Sequence, residues 1–331
     1  MFVEKKILIT GGAGYIGSKI TYDLIDQGFK VFIIDNLSTG NKKLLCPKAK
    51  FYFGDLLNYS LIDKVLLKNN IKNIIHLAAC LDVNESEKNP QKYYLNNTEA
   101  TNILLKAACK NGLENFIFSS TSAVYGEIEN NRPAKEDDCC SPKSHYGKSK
   151  LLCEYLIKNY SSKFKFNYGI LRYFNVAGAD EKLRTGSFKK SDQLFNNLTK
   201  IFINEKKPKV YIYGKNYNTK DGTCIRDYID ICDLSKIHAV FLKKISEQKI
   251  SKILNCGYGK GYSVLEIVGM FKKITKKKII IKYLKKRRGD VKSIVSNTNK
   301  FNIFFKIDRL KLSKSLNKMI YLSLQWKKSF F

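Results

Sequence analysis

The chain of 331 residues has few arginines, few acidic residues and no cysteine spacing typical of a metal site. Its nine cysteines form no C-x-x-C pair and leave an odd one over, which fits neither a secreted disulfide framework nor a structural zinc site. No apolar stretch approaches the roughly 18 residues of a membrane span, and the first residues lack the apolar core of a signal peptide. We therefore expect a soluble, reduced, cytoplasmic protein with no metal and no membrane partner.

The charge balance is strongly basic, with 60 Lys plus Arg against 29 Asp plus Glu and a formal net charge of +31. Only seven of the 60 are arginine, which is the residue best suited to bidentate contacts with phosphates and bases. The stretch 271–331 carries 19 basic and two acidic residues, yet it also contains apolar strand-like and helix-like runs. A composition rich in Lys, Asn, Ile and Phe indicates drift in an A+T-rich genome. We expect no specific nucleic-acid partner.

Short apolar runs alternate with helical stretches through the first half of the chain. This alternation predicts an α/β fold with a Rossmann-type, doubly wound parallel sheet. After Tyr173 the pattern becomes irregular, which predicts a smaller C-terminal substrate-binding lobe. We place the first domain at 1–175, with segments near 225–250 packing back on it, and the smaller lobe at 176–331. The predicted strands are Lys6–Thr10, Lys30–Ile34, Lys50–Phe53, Asn73–Leu77, Asn115–Ser119 and Asn167–Arg172.

Three glycines with the spacing G-x-x-G-x-x-G separate the first strand from a helix predicted near 18–27: Gly11, Gly14 and Gly17. Without side chains, such a loop lets the backbone approach a pyrophosphate at a helix N-terminus, although a tight turn alone also selects glycine. Asp35 ends the second strand, where a carboxylate accepts hydrogen bonds from the adenosine ribose diol and repels the 2'-phosphate of NADP. The pattern therefore predicts that the first domain binds NAD, with Asp55 as a further candidate at the adenine edge.

Tyr146 and Lys150 form a Y-x-x-x-K pair, whose spacing places both side chains on one helix face. With 20 tyrosines and 53 lysines (60 less the seven arginines), about three such pairs are expected by chance, and three occur. Tyr15 lies in the glycine loop and Tyr211 in a strand-like run, so only Tyr146 begins a good helix. It also follows a strand that ends in hydroxyl residues around Thr121. The ammonium is expected to lower the phenol pKa from about 10 toward neutrality, so that Tyr146 can act as a base.

A series of further motifs extends this pattern over most of residues 5–290. They are GGAGYIG at 11–17, Asp35–Ser38, His76–Ala79, Ser119–Gly126, Tyr146–Lys150, Arg172–Gly178, Asn197–Leu198, Asp221–Thr223, Arg226–Ile229 and Arg287–Asp290. Together they resemble the extended short-chain dehydrogenase/reductases and, within that superfamily, the UDP-glucose 4-epimerase family.

The resemblance implies that Thr121 hydrogen-bonds the sugar O4, that Tyr146 is the base, and that Lys150 holds the nicotinamide ribose and the phenolate. The implied cofactor contacts are Gly11, Gly14, Tyr15, Ile16, Gly17, Asp35, Asn36, Asp55, Leu56, Leu77, Ala78, Ala79, Asn96, Lys150 and Phe174. The implied substrate contacts are Thr121, Tyr146, Asn175, Asn197, Leu198, Tyr213, Arg226, Arg287 and Asp290.

The window 121–126 reads T-S-A-V-Y-G and lacks the Asp and Glu with which similar nucleotide-sugar dehydratases eliminate water. The resemblance therefore implies oxidation and reduction at C4 without water loss. That reaction interconverts UDP-glucose and UDP-galactose through a transient 4-keto sugar, in galactose metabolism, with NAD unchanged after each cycle. The family resemblance also suggests a homodimer.

Three positions depart from the family pattern. Ile294 lies where many bacterial epimerases have a Tyr beside the hexose, Leu81 where some carry a Lys, and Asp230 where a His is common. These departures leave open a UDP-N-acetylglucosamine 4-epimerase or another NAD-dependent nucleotide-sugar oxidoreductase, such as a 4-reductase or a dehydrogenase that releases NADH. More distant alternatives are a non-catalytic NAD-bound regulator and a Lys-rich nucleic-acid binder.

The basic surplus yields a first testable prediction. We expect only weak DNA binding, lost by about 0.2 M salt, because lysine is a strongly hydrated point charge with little base-reading geometry. A filter-binding titration over increasing salt measures this. Tight, sequence-dependent retention at that salt would contradict the prediction and revive the nucleic-acid alternative.

Overall fold

The computed structural model describes residues 5–188, 194–287, 289–306 and 312–330, and Arg288 lies outside the described residues. The chain divides into two units. Unit 1 is drawn from Met1–Val124, Ser144–Arg172 and Ser235–Leu254. Unit 2 is drawn from Tyr125–Lys143, Tyr173–Leu234 and Asn255–Phe331.

Strands and helices alternate through the first part of the chain. In order they are β1 (Lys6–Thr10), α1 (Tyr15–Asp26), β2 (Lys30–Asp35), β3 (Lys50–Phe53), α2 (Tyr59–Asn69), β4 (Asn73–His76), α3 (Val83–Lys88), α4 (Pro90–Tyr93), α5 (Ala100–Lys110), β5 (Asn115–Thr121), α6 (His145–Phe164) and β6 (Asn167–Tyr173). A π-helical segment, Tyr94–Glu99, precedes α5, and short 3-10 turns lie at Lys42–Leu44, Ser122–Val124 and Glu129–Asn131.

The second part of the chain has shorter strands and a less regular order. Its elements are β7 (Asn175–Ala177), α7 (Leu194–Asn204), β8 (Lys209–Tyr213), β9 (Ile225–Asp230), α8 (Ile231–Gln248), β10 (Lys252–Cys256), β11 (Gly261–Ser263), α9 (Val264–Thr275), β12 (Ile280–Leu284), β13 (Ser293–Ile294), α10 (Asn299–Phe305) and α11 (Leu316–Phe330).

A seven-stranded sheet with the order β10-β6-β5-β4-β1-β2-β3 forms the centre of unit 1. The pairs β1–β2, β1–β4, β2–β3 and β4–β5 are all parallel. The centre of β1 is apolar without alternation, and Ile7, Leu8 and Ile9 are fully buried because helices cover both faces of such a sheet. The order is that of a Rossmann-type fold, so the predicted fold class is confirmed.

Strands β2, β4 and β6 end within one residue of the predicted ends, and two other boundaries differ by more. Helix α1 begins at Tyr15 rather than near residue 18, because Gly14 already has extended backbone angles and acts as the N-cap. The third glycine, Gly17, therefore lies in the first turn of the helix and not in the loop. The prediction that only Tyr146 begins a helix is wrong, because Tyr15 is the first residue of α1. Strand β5 continues to Thr121 rather than ending at Ser119, so Thr121 is the last residue of the strand.

A buried histidine links the carboxyl ends of β1 and β4 within unit 1. His76 Nδ1 lies 2.7 Å from Thr10 Oγ1, and His76 Nε2 lies 2.8 Å from Thr101 Oγ1 on α5. Thr101 donates its proton to the Asn97 carbonyl, so the Nε2 atom of His76 is the donor and Nδ1 accepts from Thr10. Burial is the main cause that lowers the His76 pKa to about 3, and the Lys150 charge adds to it. The ring is therefore neutral and has a defined tautomer.

Unit 2 contains two small sheets. Strand β9 lies between β11 and β13 and also pairs with β7, while β8 and β12 form a separate parallel pair. The buried carboxylate of Asp227 on β9 accepts hydrogen bonds from the backbone N–H groups of Tyr258, Gly259 and Ser296. These bonds hold the segments that follow β10 and β13 against β9.

Candidate active site

The glycine loop has a shape that side chains would obstruct. Gly11 has a φ of +73°, and a Cβ there would lie 2.7 Å from the Ala78 nitrogen. A Cβ on Gly17 would overlap the Gly11 carbonyl oxygen. Gly14 offers no capping side chain to α1, and the first turn of that helix contains no acidic residue. The loop therefore leaves a helix N-terminus open to an anion, as a dinucleotide pyrophosphate requires.

Asp35 is held beside this loop at the end of β2. Its Oδ2 accepts a hydrogen bond from the Ala13 nitrogen at 2.9 Å, and its Oδ1 accepts one from the Leu37 nitrogen at 2.8 Å. Burial raises the pKa of the carboxyl group, and the two backbone hydrogen bonds oppose that rise. Each oxygen retains a second lone pair for a diol. Asn36 donates to Asp55 Oδ2 at 2.6 Å, so these two predicted residues also lie together.

The remaining predicted cofactor residues are distributed over both units. The backbone N–H groups of Leu77 and Ala78 donate to the Thr10 hydroxyl at 3.2 and 3.3 Å, which places them at the glycine loop with Ala79 next in the chain. Leu56 lies in the hydrophobic core of unit 1. Asn96 belongs to the π-helical segment and donates to the Lys92 carbonyl at 2.9 Å, whereas Phe174 belongs to unit 2.

Thr121 and Tyr146 come together within unit 1. Tyr146 is the second residue of α6, whose N-cap Ser144 accepts a hydrogen bond from the Gly147 nitrogen at 3.1 Å. The Thr121 hydroxyl at the end of β5 lies beside the Tyr146 phenol. Burial raises the Tyr146 pKa to about 12, and the interaction with Thr121 opposes this rise. The expected lowering of this pKa by Lys150 is wrong for the protein by itself, because burial dominates.

Lys150 is buried, with only 2% of its surface exposed. Its Nζ lies 4.2 Å from the centroid of the Phe118 ring, so a cation–π contact replaces part of its hydration. Burial lowers the Lys150 pKa to about 8, while the Cys153 thiol, once it is ionised, and the Glu154 carboxylate raise it. The pKa of the amino group therefore lies much closer to neutral pH than that of an exposed lysine.

The predicted substrate residues from Asn175 onward all belong to unit 2. Arg226 on β9 forms an ion pair with Asp290, with Nη2 3.1 Å from Oδ1. The Arg287 guanidinium lies 3.9 Å from the centroid of the Tyr213 ring. Asn175 on β7 lies beside the phenol of Tyr228, whose pKa it lowers against the effect of burial. The structure therefore brings together Arg226 with Asp290 and Arg287 with Tyr213.

Other predicted positions of unit 2 have less polar surroundings. On α7, Leu198 is part of the hydrophobic core of unit 2, and its neighbour Asn197 is half-buried. Ile294 on β13 is buried and lies opposite Arg226 in the parallel pairing with β9. Asp230, at the end of β9, is fully buried, and burial raises its pKa to about 6. Leu81, in contrast, is exposed on unit 1.

The sequence interpretation missed one buried polar group in unit 1. Glu154 lies four residues after Lys150 on α6 and pairs with Arg172 on β6, with Nη2 2.7 Å from Oε2. The signal that could have found it is the extension of the pattern to Y-x-x-x-K-x-x-x-E, which continues one helix face.

In the described ranges, no helix is long and apolar enough to cross a membrane. The same residues contain no group of three or more His, Cys, Asp or Glu side chains suited to a metal ion.

Comparisons with known proteins agree with this geometry. A UDP-glucose 4-epimerase of Azospirillum brasilense is 36% identical over 298 residues, which cover 89% of this chain and 84% of that protein. The solved UDP-glucose-4-epimerase from Stenotrophomonas maltophila, with bound NAD and formylated UDP-arabinopyranose, is 28% identical with a TM-score of 0.91 and covers 98% of both chains. The solved UDP-Glc/GlcNAc 4-epimerase from Campylobacter jejuni is 33% identical with a TM-score of 0.80, over 98% of this chain and 99% of that one.

The model of the NAD dependent epimerase/dehydratase family matches residues 7–257, which is more than half of the chain. The glycine loop, Asp35 and the Thr121, Tyr146 and Lys150 group all lie within the matched residues. The chain therefore belongs to the NAD dependent epimerase/dehydratase family.

Proposed function

We propose that the protein is an NAD-dependent isomerase that interconverts UDP-glucose and UDP-galactose by inverting C4 of the hexose. The observation that carries this proposal is the placement of the Tyr146 phenol beside the Thr121 hydroxyl, on the helix face that also carries the buried Lys150. The window 121–126, which contains Thr121, has no Asp or Glu to eliminate water. The name of the Azospirillum brasilense relative, UDP-glucose 4-epimerase, supports the same reaction.

The residues of unit 1 fit NAD. The shape of the loop around Gly11, Gly14 and Gly17 suits a pyrophosphate, and the second lone pairs of Asp35 suit the adenosine ribose diol. When bound, NAD would accept the hydride from C4 of the sugar and later return it, and its oxidised form would supply a positive charge. The sugar would be a 4-keto sugar between the two hydride transfers.

The chain's own residues handle the proton. Tyr146 receives the proton of the 4-hydroxyl group, and Thr121 hydrogen-bonds the same oxygen. Because burial raises the Tyr146 pKa to about 12, forming the phenolate requires positive charge nearby. Lys150, which is itself buried, provides such a charge on the same helix face.

We propose that residues of unit 2 hold the UDP moiety. Arg226 and Arg287 provide two guanidinium groups, which suit the oxygens of a diphosphate, and Asp290 is a carboxylate acceptor for the uridine ribose. Asn175, Asn197, Leu198 and Tyr213 complete the proposed set.

The test of the proposed function is to incubate the purified protein with UDP-galactose and to measure UDP-glucose and NADH together. We expect UDP-glucose to form without accumulation of NADH. Accumulation of NADH with a keto sugar would overturn epimerisation and favour the dehydrogenase alternative. Binding of NAD without any conversion would favour the non-catalytic alternative.

We also propose that the protein is a cytoplasmic homodimer. Leu95 and Leu152 are among the apolar side chains exposed on the π-helical segment and on α6. The two elements contact one another within unit 1, so these side chains can contribute to a shared apolar face. Light scattering of the purified protein measures its mass, and the mass of one chain would contradict the proposal.

Replacing the proposed base tests its role. We expect Tyr146→Phe to fold, to retain NAD and to lose at least about 10²-fold in kcat, because a lost general base has effects of this size. Tyr155→Phe is the matched control, since Tyr155 is an exposed tyrosine on the same helix. Steady-state kinetics of both variants measure the effect, and near-normal turnover by Tyr146→Phe would contradict the assignment.

The position of Asp35 predicts a preference for NAD over NADP. A carboxylate at the ribose diol repels the 2'-phosphate of NADP, so NAD should protect the protein from thermal unfolding far better. Asp35→Asn should narrow this difference because it removes the negative charge. Equal protection of the unchanged protein by both cofactors would count against the assignment.

Ile294 supports a second candidate substrate, UDP-N-acetylglucosamine. An isoleucine is smaller than the tyrosine expected at this position, and the Campylobacter jejuni neighbour is named a UDP-Glc/GlcNAc 4-epimerase. We expect Ile294→Tyr to reduce kcat/KM for the acetylated sugar relative to UDP-glucose, by an amount worth about 1–3 kcal/mol. If the unchanged protein rejects the acetylated sugar as strongly as the variant does, Ile294 does not control this choice.

A further inference from the structure

Glu154 is a fully buried carboxylate on α6, the helix that carries Tyr146 and Lys150. The three residues are spaced by four, and residues four apart lie on the same face of a helix. Glu154 thus extends the face that carries the proposed proton-handling groups into the interior of unit 1.

The carboxylate of Glu154 connects this helix to two strands. Its Oε1 accepts a hydrogen bond from Ser120 Oγ on β5 at 2.5 Å and from Arg172 Nε on β6 at 3.0 Å. Its Oε2 accepts a hydrogen bond from Arg172 Nη2 at 2.7 Å. Ser120 immediately precedes Thr121, so one side chain fixes α6 beside the hydroxyl that contacts Tyr146.

General stability does not account well for such a group. Taking two charges out of water costs about as much as their attraction returns, so apolar residues of similar size often stabilise a fold equally well. A bidentate ion pair with an added hydroxyl contact does, however, define one rotation and one register of the helix. Positioning is therefore the property that this arrangement supplies and that apolar packing does not.

We propose that Glu154 is a positioning residue for the reaction: through Ser120 and Arg172 it sets α6 against β5, so that Tyr146 meets Thr121. This inference rests on the proposed function, in which Tyr146 and Lys150 handle the proton.

The charges around Lys150 make the proposal measurable by pH. The groups that face Lys150 are His76 from β4, Tyr146, Cys153 and Glu154 from its own helix, and the uncharged Phe118 ring from β5. The negative charge of Glu154 raises the Lys150 pKa against the effect of burial, and His76 stays neutral. Removing that charge should lower the Lys150 pKa further. Because Lys150 must be charged to act, the alkaline fall in activity should then begin at lower pH.

The test compares Glu154→Gln, Glu154→Asp and Ser120→Ala with the unchanged holoenzyme. For Glu154→Gln we expect kcat to fall between about 10- and 100-fold, as for a small misplacement of reacting groups, with little change in the KM for UDP-galactose. Its alkaline limb should move to lower pH. Glu154→Asp and Ser120→Ala keep the negative charge at position 154 but weaken the contact between α6 and β5. The kcat should therefore fall, while the alkaline limb of the pH profile stays in place.

Two controls separate positioning from folding. Asp63→Asn removes one partner of the Asp63–Lys110 pair, whose lysine is exposed, and should leave kcat unchanged. If Glu154→Gln does not fold, the double variant Glu154→Leu/Arg172→Met removes both charges, and we expect it to fold, to bind NAD and to lose kcat. Full activity of this double variant, or an unchanged kcat and pH profile in Glu154→Gln, would overturn the proposal.

A readout without turnover distinguishes this proposal from the proposed function. The Lys150 pKa can be followed by NMR of protein labelled at lysine side chains, with the signal assigned from Lys150→Met. A lower pKa in Glu154→Gln, but not in Ser120→Ala, supports the proposal even if UDP-galactose is not converted. An unchanged pKa together with normal conversion overturns the proposal and leaves the proposed function intact.

Discussion

The buried amino group of Lys150 is the constraint on which the interior of unit 1 depends. Removing an ammonium group from water is costly, and its surroundings must compensate or the group loses its proton. The Phe118 ring provides a face, Glu154 provides negative charge, and the neutral His76 adds no competing cation. Each compensating group comes from a different element, so the parallel sheet and α6 must be in register before Lys150 can be accommodated.

The same strand ends also organise the proposed cofactor side of unit 1. The Thr10 hydroxyl accepts from the backbone of Leu77 and Ala78 and donates to His76. The loop that follows β4 is thereby held against Gly11, where only a residue without a side chain fits. One buried hydroxyl therefore couples the glycine loop to the histidine that faces Lys150, and the fold and the site share the same hydrogen bonds.

Unit 2 differs from unit 1 in how it handles charge. Its proposed phosphate ligands remain partly exposed, and Arg226 and Arg287 make contacts with Asp290 and Tyr213 that a nucleotide could exchange for its own. Charges near solvent cost little to rearrange, whereas charges in the core must keep their partners. The partly exposed charges of unit 2 therefore suit the binding of a charged ligand. The buried charges of unit 1 suit the control of a single proton.

The sequence alone determined the parallel α/β fold, the glycine loop and Asp35 at the end of its strand. It also predicted Tyr146 with Lys150 among three similar pairs from the hydroxyl residues that end the preceding strand, although Tyr15 begins a helix as well. These features depend on local periodicity, on backbone requirements and on the order of neighbouring segments, all of which can be read along the chain. Only the tertiary structure decided the ionisation of these groups. Burial raises the Tyr146 pKa where the spacing alone suggested a lowered one, and the contacts of Glu154 with Ser120 and Arg172 join segments distant in sequence. Desolvation and long-range pairing depend on which elements pack together, and residue spacing does not contain that information.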